Sequence, residues 1–256
     1  KLDPLDKIPP FLQKFKDNKS RLFAFEKNKL QYYNFSKGLI PVTRPDGIIS
    51  LSDKKKISKP LYSNNSISLW EFNEQSHFIC AEFHTKANAL DQGSAEGLLR
   101  AHDLCEKNFD GIVIANDGMQ FSAGVNLNFF LDMAIKKEWL AIDSFLNQFQ
   151  NACSQLRHAN FPVIAAPSGL AIGGGYEVVA QTDFVAAHSN SVLGLVETLV
   201  GLIPAGGGCK EMLRRWSNDP EAKEDPFYAS MKVFNILGYA LTADSPSKSR
   251  DQKFLG

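Results

Sequence analysis

The chain has 256 residues, 28 basic against 28 acidic side chains, and a hydrophobic content of 44%. That length fits one large domain or a domain with an extension, and the apolar content suffices for a core. Zero net charge leaves no basic excess for phosphate-backbone contacts, and no apolar run approaches the roughly 20 residues of a membrane helix, so neither nucleic acid nor membrane insertion is expected.

The chain opens on Lys1-Leu2-Asp3-Pro4, without an apolar signal core or an initiator Met, and reads as a piece of a longer product. Residues 1–20 are rich in Lys, Asp and Pro, with Pro9-Pro10 breaking any helix before a short turn over 11–15. Apolar and polar residues alternate over 21–35, around Glu26-Lys27-Asn28-Lys29, which predicts a β-hairpin. Residues 41–66 carry Pro41, Pro45, Pro60, many Ser and Asn, and the run Lys54-Lys55-Lys56; this is linker composition. The lysine run reads as solvated surface, with a phosphate-contacting patch as the alternative. A boundary near residue 65 follows, giving an extension over 1–65 and a main domain over 66–256.

Strands are expected at 66–70 and 78–83, then a helix over 92–107 with Ala95, Leu98, Leu99 and Cys105 at helical spacing. Gly111-Ile112-Val113-Ile114-Ala115 and Phe161-Pro162-Val163-Ile164-Ala165-Ala166 read as short buried strands, and 129–159 as largely helical. A helix over 174–181 and a strand at 184–187 follow. Alternating apolar strands and helices give an α/β fold class with helix-covered sheets. Cys80, Cys105, Cys153 and Cys209 are widely spaced, so reduced, buried thiols in a reducing, cytoplasmic setting are expected, and five scattered His give no metal-ligand pattern.

Three glycine-bearing loops stand near the ends of apolar strands. They are Phe121-Ser122-Ala123-Gly124-Val125-Asn126, then 169–177 with Gly173-Gly174-Gly175-Tyr176-Glu177, then Gly194-Leu195-Val196-Glu197 followed by 201–208. Three glycines directly before a helix let the backbone approach a ligand, and the free N–H groups of the first turn suit a developing enolate oxygen. A tight, closely packed strand-to-helix turn explains the same residues, whereas the P-loop and dinucleotide patterns are absent. Glu177, in the first turn of that helix, is either a catalytic carboxylate or simply a favourable acidic residue at a helix N-terminus. Glu197 sits among apolar neighbours, where a carboxylate is either paired, protonated or simply exposed on a loop.

Taken together these segments resemble the crotonase superfamily, the enoyl-CoA hydratase/isomerase family. Asn88-Ala89-Leu90 resembles its first CoA-contacting segment, 121–126 its A-G-A-D loop, 169–177 its G-x-x-x-G-G-G-x-E element, and 194–208 its second-glutamate segment with the P-x-x-G-G turn. The likeness runs from about residue 78 to about 254. It implies a crotonase (ClpP-like) fold of repeated ββα units, preceded by an irregular extension with a small hairpin. It further implies backbone N–H groups of Val125 and Gly174 as the oxyanion hole, and Glu177 (mainly base) with Glu197 (mainly acid) as the catalytic pair. CoA and substrate contacts fall by resemblance on Lys86, Asn88, Ala89, Leu90, Ala123, Gly124 and Gly173, although Lys86 also reads as an ordinary surface lysine, and the helical stretch 129–159 would line an acyl pocket.

Two glutamates match the hydratase subset, so hydration of 2-trans-enoyl-CoA in fatty-acid β-oxidation is expected, with coenzyme A as part of the substrate, no metal and no other cofactor. Isomerisation, thioester hydrolysis and a non-catalytic acyl-CoA-binding scaffold are the alternatives. Val125 and Asn126 depart from the family's Ala and Asp, and Phe254-Leu255-Gly256 resembles a point after which further helices follow in the family, so the C-terminal helices are expected to be incomplete. Residues 1–65 together with 82–88 resemble bifunctional β-oxidation proteins, in which an NAD-dependent 3-hydroxyacyl-CoA dehydrogenase precedes a C-terminal hydratase domain. An adjoining dehydrogenase domain and homo-oligomerisation are therefore expected, with no NAD site within this segment.

Overall fold

The structure is a computed structural model that describes residues 10–17, 21–26, 29–43, 45, 48, 50–73 and 77–255. It divides into two compact units, Lys1–Lys59 and Pro60–Gly256. The sequence reading put this boundary near 65; the observed division is earlier because Tyr62–Ser63 already pairs with the first long strand of the second unit.

In the first unit, α1 (Pro10–Asp17) precedes a three-stranded antiparallel meander of β1 (Phe23–Glu26), β2 (Lys29–Asn34) and β3 (Gly38–Pro41). The expected hairpin thus gains a third strand, while its turn at 27–28 lies outside the described residues. The stretch read as linker contains α2 (Leu51–Ile57), whose Ser50 side chain accepts from the Asp53 N–H at 3.4 Å. The lysine run lies in its last turn, and Lys56 Nζ stands 4.7 Å over the Phe25 ring.

In the second unit, β4 (Tyr62–Ser63), β5 (Ile67–Phe72) and β6 (Phe78–Phe83) run antiparallel. After a 3-10 turn (Lys86–Asn88) comes α3 (Gln92–Asn108), opened by a reciprocal cap in which the Ser94 N–H donates to Asp91 Oδ1 at 2.9 Å. Next come β7 (Gly111–Ile114), α4 (Leu127–Ile135), α5 (Trp139–Arg157), β8 (Val163–Ala165), β9 (Leu170–Ile172), α6 (Gly174–Ala180), β10 (Phe184–Val185) and β11 (Val192–Gly194). A second 3-10 turn (Glu197–Val200), α7 (Gly208–Ser217), α8 (Tyr228–Gly238), β12 (Thr242–Ala243) and α9 (Pro246–Asp251) complete the unit.

Two sheets result. The larger has the order β10-β8-β7-β6-β5-β4 and is parallel from β6 to β10. Its parallel strands are short apolar runs because helices cover them. The smaller has the order β12-β11-β9, with β9 and β11 parallel and in register from Val192 against Leu170 to Gly194 against Ile172. The expected helix over 129–159 is two helices. The break falls at Lys136-Lys137-Glu138, where Lys137 takes a left-handed φ of 59°.

The core fills the space between the larger sheet and α3 and α5, with Phe83, Phe121, Phe145 and Phe149 among its buried rings. α3 reaches the sheet only because Gly97 has no side chain: a Cβ there would stand 2.0 Å from Cγ2 of the fully buried Ile67. Gly97→Ala is therefore expected to cost about 1–3 kcal/mol in urea unfolding of this unit, despite alanine's better helix propensity. A change below 0.5 kcal/mol would mean that the helix slides freely.

Candidate active site

The functional segments meet because the smaller sheet is parallel at its centre. α6 leaves the end of β9, and the 3-10 turn with Glu197 leaves the end of β11, one strand over. Gly173 and Gly194 are tied directly, the Gly173 N–H donating to the Gly194 carbonyl at 2.9 Å. Glu177 and Glu197, 20 positions apart, thus arise at the same end of adjacent strands.

The loop over 121–126 is stitched in from both sides. Ser122 pairs with β9, its N–H donating to the Leu170 carbonyl at 2.8 Å and its carbonyl accepting from Ile172 at 3.1 Å. On the other side Leu90 donates to the Gly124 carbonyl and accepts from the Asn126 N–H, both at 2.8 Å. Asn116 anchors the loop's start, donating to the Phe121 carbonyl at 2.6 Å and accepting from the Phe83 N–H at 2.7 Å.

This stitching leaves the Val125 N–H without an acceptor among the described residues, and the same holds for Gly174, the first residue of α6. The two lie close together: a Cβ on Gly174 would be 3.6 Å from Val125 N, and one on Gly124 would be 3.5 Å from Gly174 N. Gly173 caps α6 with φ 55° and ψ −132°, a conformation that requires glycine. Its missing side chain also clears Glu197, whose Oε1 would lie 3.3 Å from a Cβ there.

Glu177 is 2% exposed. Its Oε1 accepts from the N–H groups of Gly206 and Gly208, both at 2.8 Å. Burial pushes this carboxyl's pKa up, and the Gly208 and Gly206 hydrogen bonds pull against that. A Cβ on Gly206 would stand 2.8 Å from Oε2, so the bare glycine leaves the second oxygen clear. Glu197 is half-buried, and its Oε2 has no hydrogen-bond partner among the described residues. Its burial, and then the charge of Glu177, push its pKa up to about 7. The turn that carries Glu197 is pinned by Thr198 Oγ1, which donates to the Leu237 carbonyl of α8 at 2.8 Å.

Both carboxylates, the Val125 and Gly174 backbone, and Ala123, Gly124 and Gly173 line one cavity of about 600 Å³. Its remaining wall is apolar, supplied by α4, α5 and residues 196–206. Lys86, Asn88, Ala89 and Leu90 do not line it. Lys86 is exposed. Asn88 is buried and donates to the Gln120 carbonyl at 2.8 Å, and Leu90 is fully buried. Asn88 and Leu90 thus build the frame under the loop rather than face the cavity with their side chains. Gly206 and Gly208 hold Glu177 yet lie 29 and 31 residues from it. Only the turn-forming Gly206-Gly207-Gly208 run hints at their role.

A model of the enoyl-CoA hydratase/isomerase family matches residues 77–224, more than half of the chain. The chain belongs to the enoyl-CoA hydratase/isomerase family. The family match begins just before β6 and includes both glutamates and all three glycine-bearing loops. A "Probable 3-hydroxyacyl-CoA dehydrogenase" of Bacillus subtilis is 29% identical over 248 residues, covering 97% of this chain and 31% of that protein. A "Putative fatty acid oxidation complex trifunctional enzyme" of Rickettsia felis is 30% identical over 162 residues, covering 63% of this chain and 22% of that one. The chain therefore spans a third or less of these relatives. Among solved structures, an enoyl-CoA hydratase from Polaromonas sp. JS666 superposes with a TM-score of 0.62 at 24% identity, covering 73% of this chain and 68% of that one. The second unit has the crotonase fold.

The titration of Glu197 is open to a stability test. A carboxyl raised to about 7 from 4.5 stabilises the fold in its protonated form. That contribution is full below about pH 4.5 and is lost as pH rises through 7. Glu197→Gln, which stays neutral, should match the wild type near pH 4.5 and exceed its stability at pH 8 by on the order of 2 kcal/mol. A stability difference that does not change with pH would contradict this.

Proposed function

We propose that this family member hydrates 2-trans-enoyl-CoA thioesters to 3-hydroxyacyl-CoA. The observation that carries the reading is the pair of carboxylates on one cavity wall, unequal in environment, beside two unpaired backbone N–H groups. Glu177, anchored by two N–H donors, is the base; Glu197, with its raised pKa, is the acid.

In this reading the thioester oxygen lies between the Val125 and Gly174 N–H groups. They polarise the conjugated system and stabilise the enolate, each contributing about 3 kcal/mol. The carboxylates hold one water over C3 of the acyl group. Glu177 takes a proton from that water as the C3–O bond forms, and Glu197 delivers its proton to C2 as the enolate collapses. Proton transfer from Glu177 back to Glu197 restores the starting state.

The alignment of nearly the whole chain within a longer Bacillus subtilis relative named as a 3-hydroxyacyl-CoA dehydrogenase supports a second part of the proposal. This segment works beside a dehydrogenase domain that oxidises the 3-hydroxyacyl product. No group of three or more His, Cys, Asp or Glu among the described residues is arranged to hold a metal, and no described helix is long and apolar enough to cross a membrane.

Product identification tests the reaction class. With 2-butenoyl-CoA in heavy-oxygen water, hydration gives an intact thioester with the heavy oxygen on C3. An unchanged mass with a moved double bond would overturn hydration in favour of isomerisation. Heavy oxygen in a released carboxylic acid would overturn it in favour of hydrolysis.

A further inference from the structure

The cavity is larger and more apolar than a short acyl group requires. Apart from Glu177 and Glu197, every side chain that lines it is apolar. Among the described residues no Lys, Arg, Ser, Thr or Asn lines it, so that lining offers nothing to the phosphates, ribose or adenine of coenzyme A. At about 30 Å³ for each carbon-sized unit, a four-carbon acyl group fills roughly a fifth of the 600 Å³, and a ten-carbon chain about half.

The placement of the apolar side chains points the same way. Trp139, Leu199 and Ile203 line the cavity yet remain 61%, 74% and 75% exposed. Apolar surface grouped like this around a cavity marks a binding site for apolar matter. An acyl tail running from the glutamates past these residues would remove it from water.

Resting on the hydration reading above, we propose that the site is built for medium- and long-chain acyl groups, of eight carbons and more, rather than for the four-carbon substrate. Each methylene buried between α4, α5 and residues 196–203 should tighten binding by up to about fourfold, the limit for complete burial. Ala134, on α4, faces this space, and α4 contributes no buried residue to the core. A larger side chain at 134 thus narrows the cavity without disturbing the fold.

Binding of saturated acyl-CoAs, which cannot react, tests the inference apart from the chemistry. Calorimetric Kd values should fall at least tenfold from butanoyl-CoA to decanoyl-CoA. Ala134→Phe should reduce that ratio at least fivefold, with an unchanged circular dichroism spectrum. For the 2-enoyl series, the same trend should sit in KM more than in kcat. Equal Kd values along the series, or a ratio unaffected by Ala134→Phe, would overturn the chain-length inference even where 2-butenoyl-CoA is hydrated. Tightening with chain length but no turnover at any length would uphold the acyl-chain site and sink the hydration reading instead.

Discussion

Glu177→Gln and Glu197→Gln are each expected to lower kcat for enoyl-CoA hydration by about a thousandfold, the usual contribution of a positioned acid or base. KM should change little, because neither side chain is needed to hold the acyl tail. Glu177→Gln keeps the fold, since an amide oxygen still accepts from Gly206 and Gly208 as Oε1 does. What it loses is the proton acceptor. Glu197→Gln removes the donor and, with it, the pH dependence that the donor brings. In the proposed mechanism Glu197, its pKa raised to about 7, works protonated, so wild-type kcat should fall as pH rises above 7. Steady-state rates from pH 5.5 to 9 on the three proteins would show this. A Glu197→Gln variant within tenfold of wild type would remove Glu197 from the mechanism.

The second large effect lies behind the site. Glu211, 2% exposed, takes hydrogen bonds from Arg214 at 2.9 and 2.7 Å and from Arg215 at 2.7 Å, with Arg157 at 3.8 Å. Burial would raise its pKa, but these guanidinium groups outweigh burial and hold it down at about 2. Arg215 goes on to donate to the Phe254 carbonyl at 2.7 Å and to the Tyr176 hydroxyl at 3.3 Å, next to Glu177 in sequence. Glu211→Ala strips the partner from a half-enclosed set of three cations and is expected to cost about 3–5 kcal/mol. The stability Glu211 contributes is present above about pH 4.5 and is lost as pH falls through 2, so the deficit should shrink in acid. Urea unfolding followed by tryptophan fluorescence at pH 7 and pH 3 measures both. A loss under 1 kcal/mol at pH 7 would show that the cluster is ornamental.

Much of the second unit is legible in sequence because its signals are local. β6, β7 and β8 are apolar runs bounded by turns, and α3 has helical spacing behind an Asp91 cap. β9 and β11, which position both glutamates, are three residues each and sit inside glycine-rich loops. Pairing with each other, with β12 and with Ser122 defines them, and pairing is not a local property. The split between α4 and α5 is equally silent, for neither Pro nor Gly marks it. α2 does leave a trace: Ser50-Leu51-Ser52-Asp53 is a helix-start pattern, masked in the sequence by the Ser- and Pro-rich surroundings.

For the site, resemblance supplies candidates and the fold sorts them. Both glutamates, Val125, Gly174, Ala123, Gly124 and Gly173 meet at one cavity, whereas Asn88 and Leu90 turn out to support the loop. Glu211-x-x-Arg214-Arg215 was readable as helical ion-pair spacing, but nothing in sequence tells that the glutamate is buried. The hold of Gly206 and Gly208 on Glu177 is through space, and the Gly206-Gly207-Gly208 run marks a turn without naming the carboxylate it holds.

The most direct measurement is the loss of enoyl-thioester absorbance when 2-butenoyl-CoA and 2-decenoyl-CoA are added to the folded protein. Hydration by the paired glutamates predicts catalytic loss of absorbance in the wild type and about a thousandfold slower loss in Glu177→Gln. Undiminished absorbance with both substrates, in a folded protein that binds acyl-CoA, would contradict it.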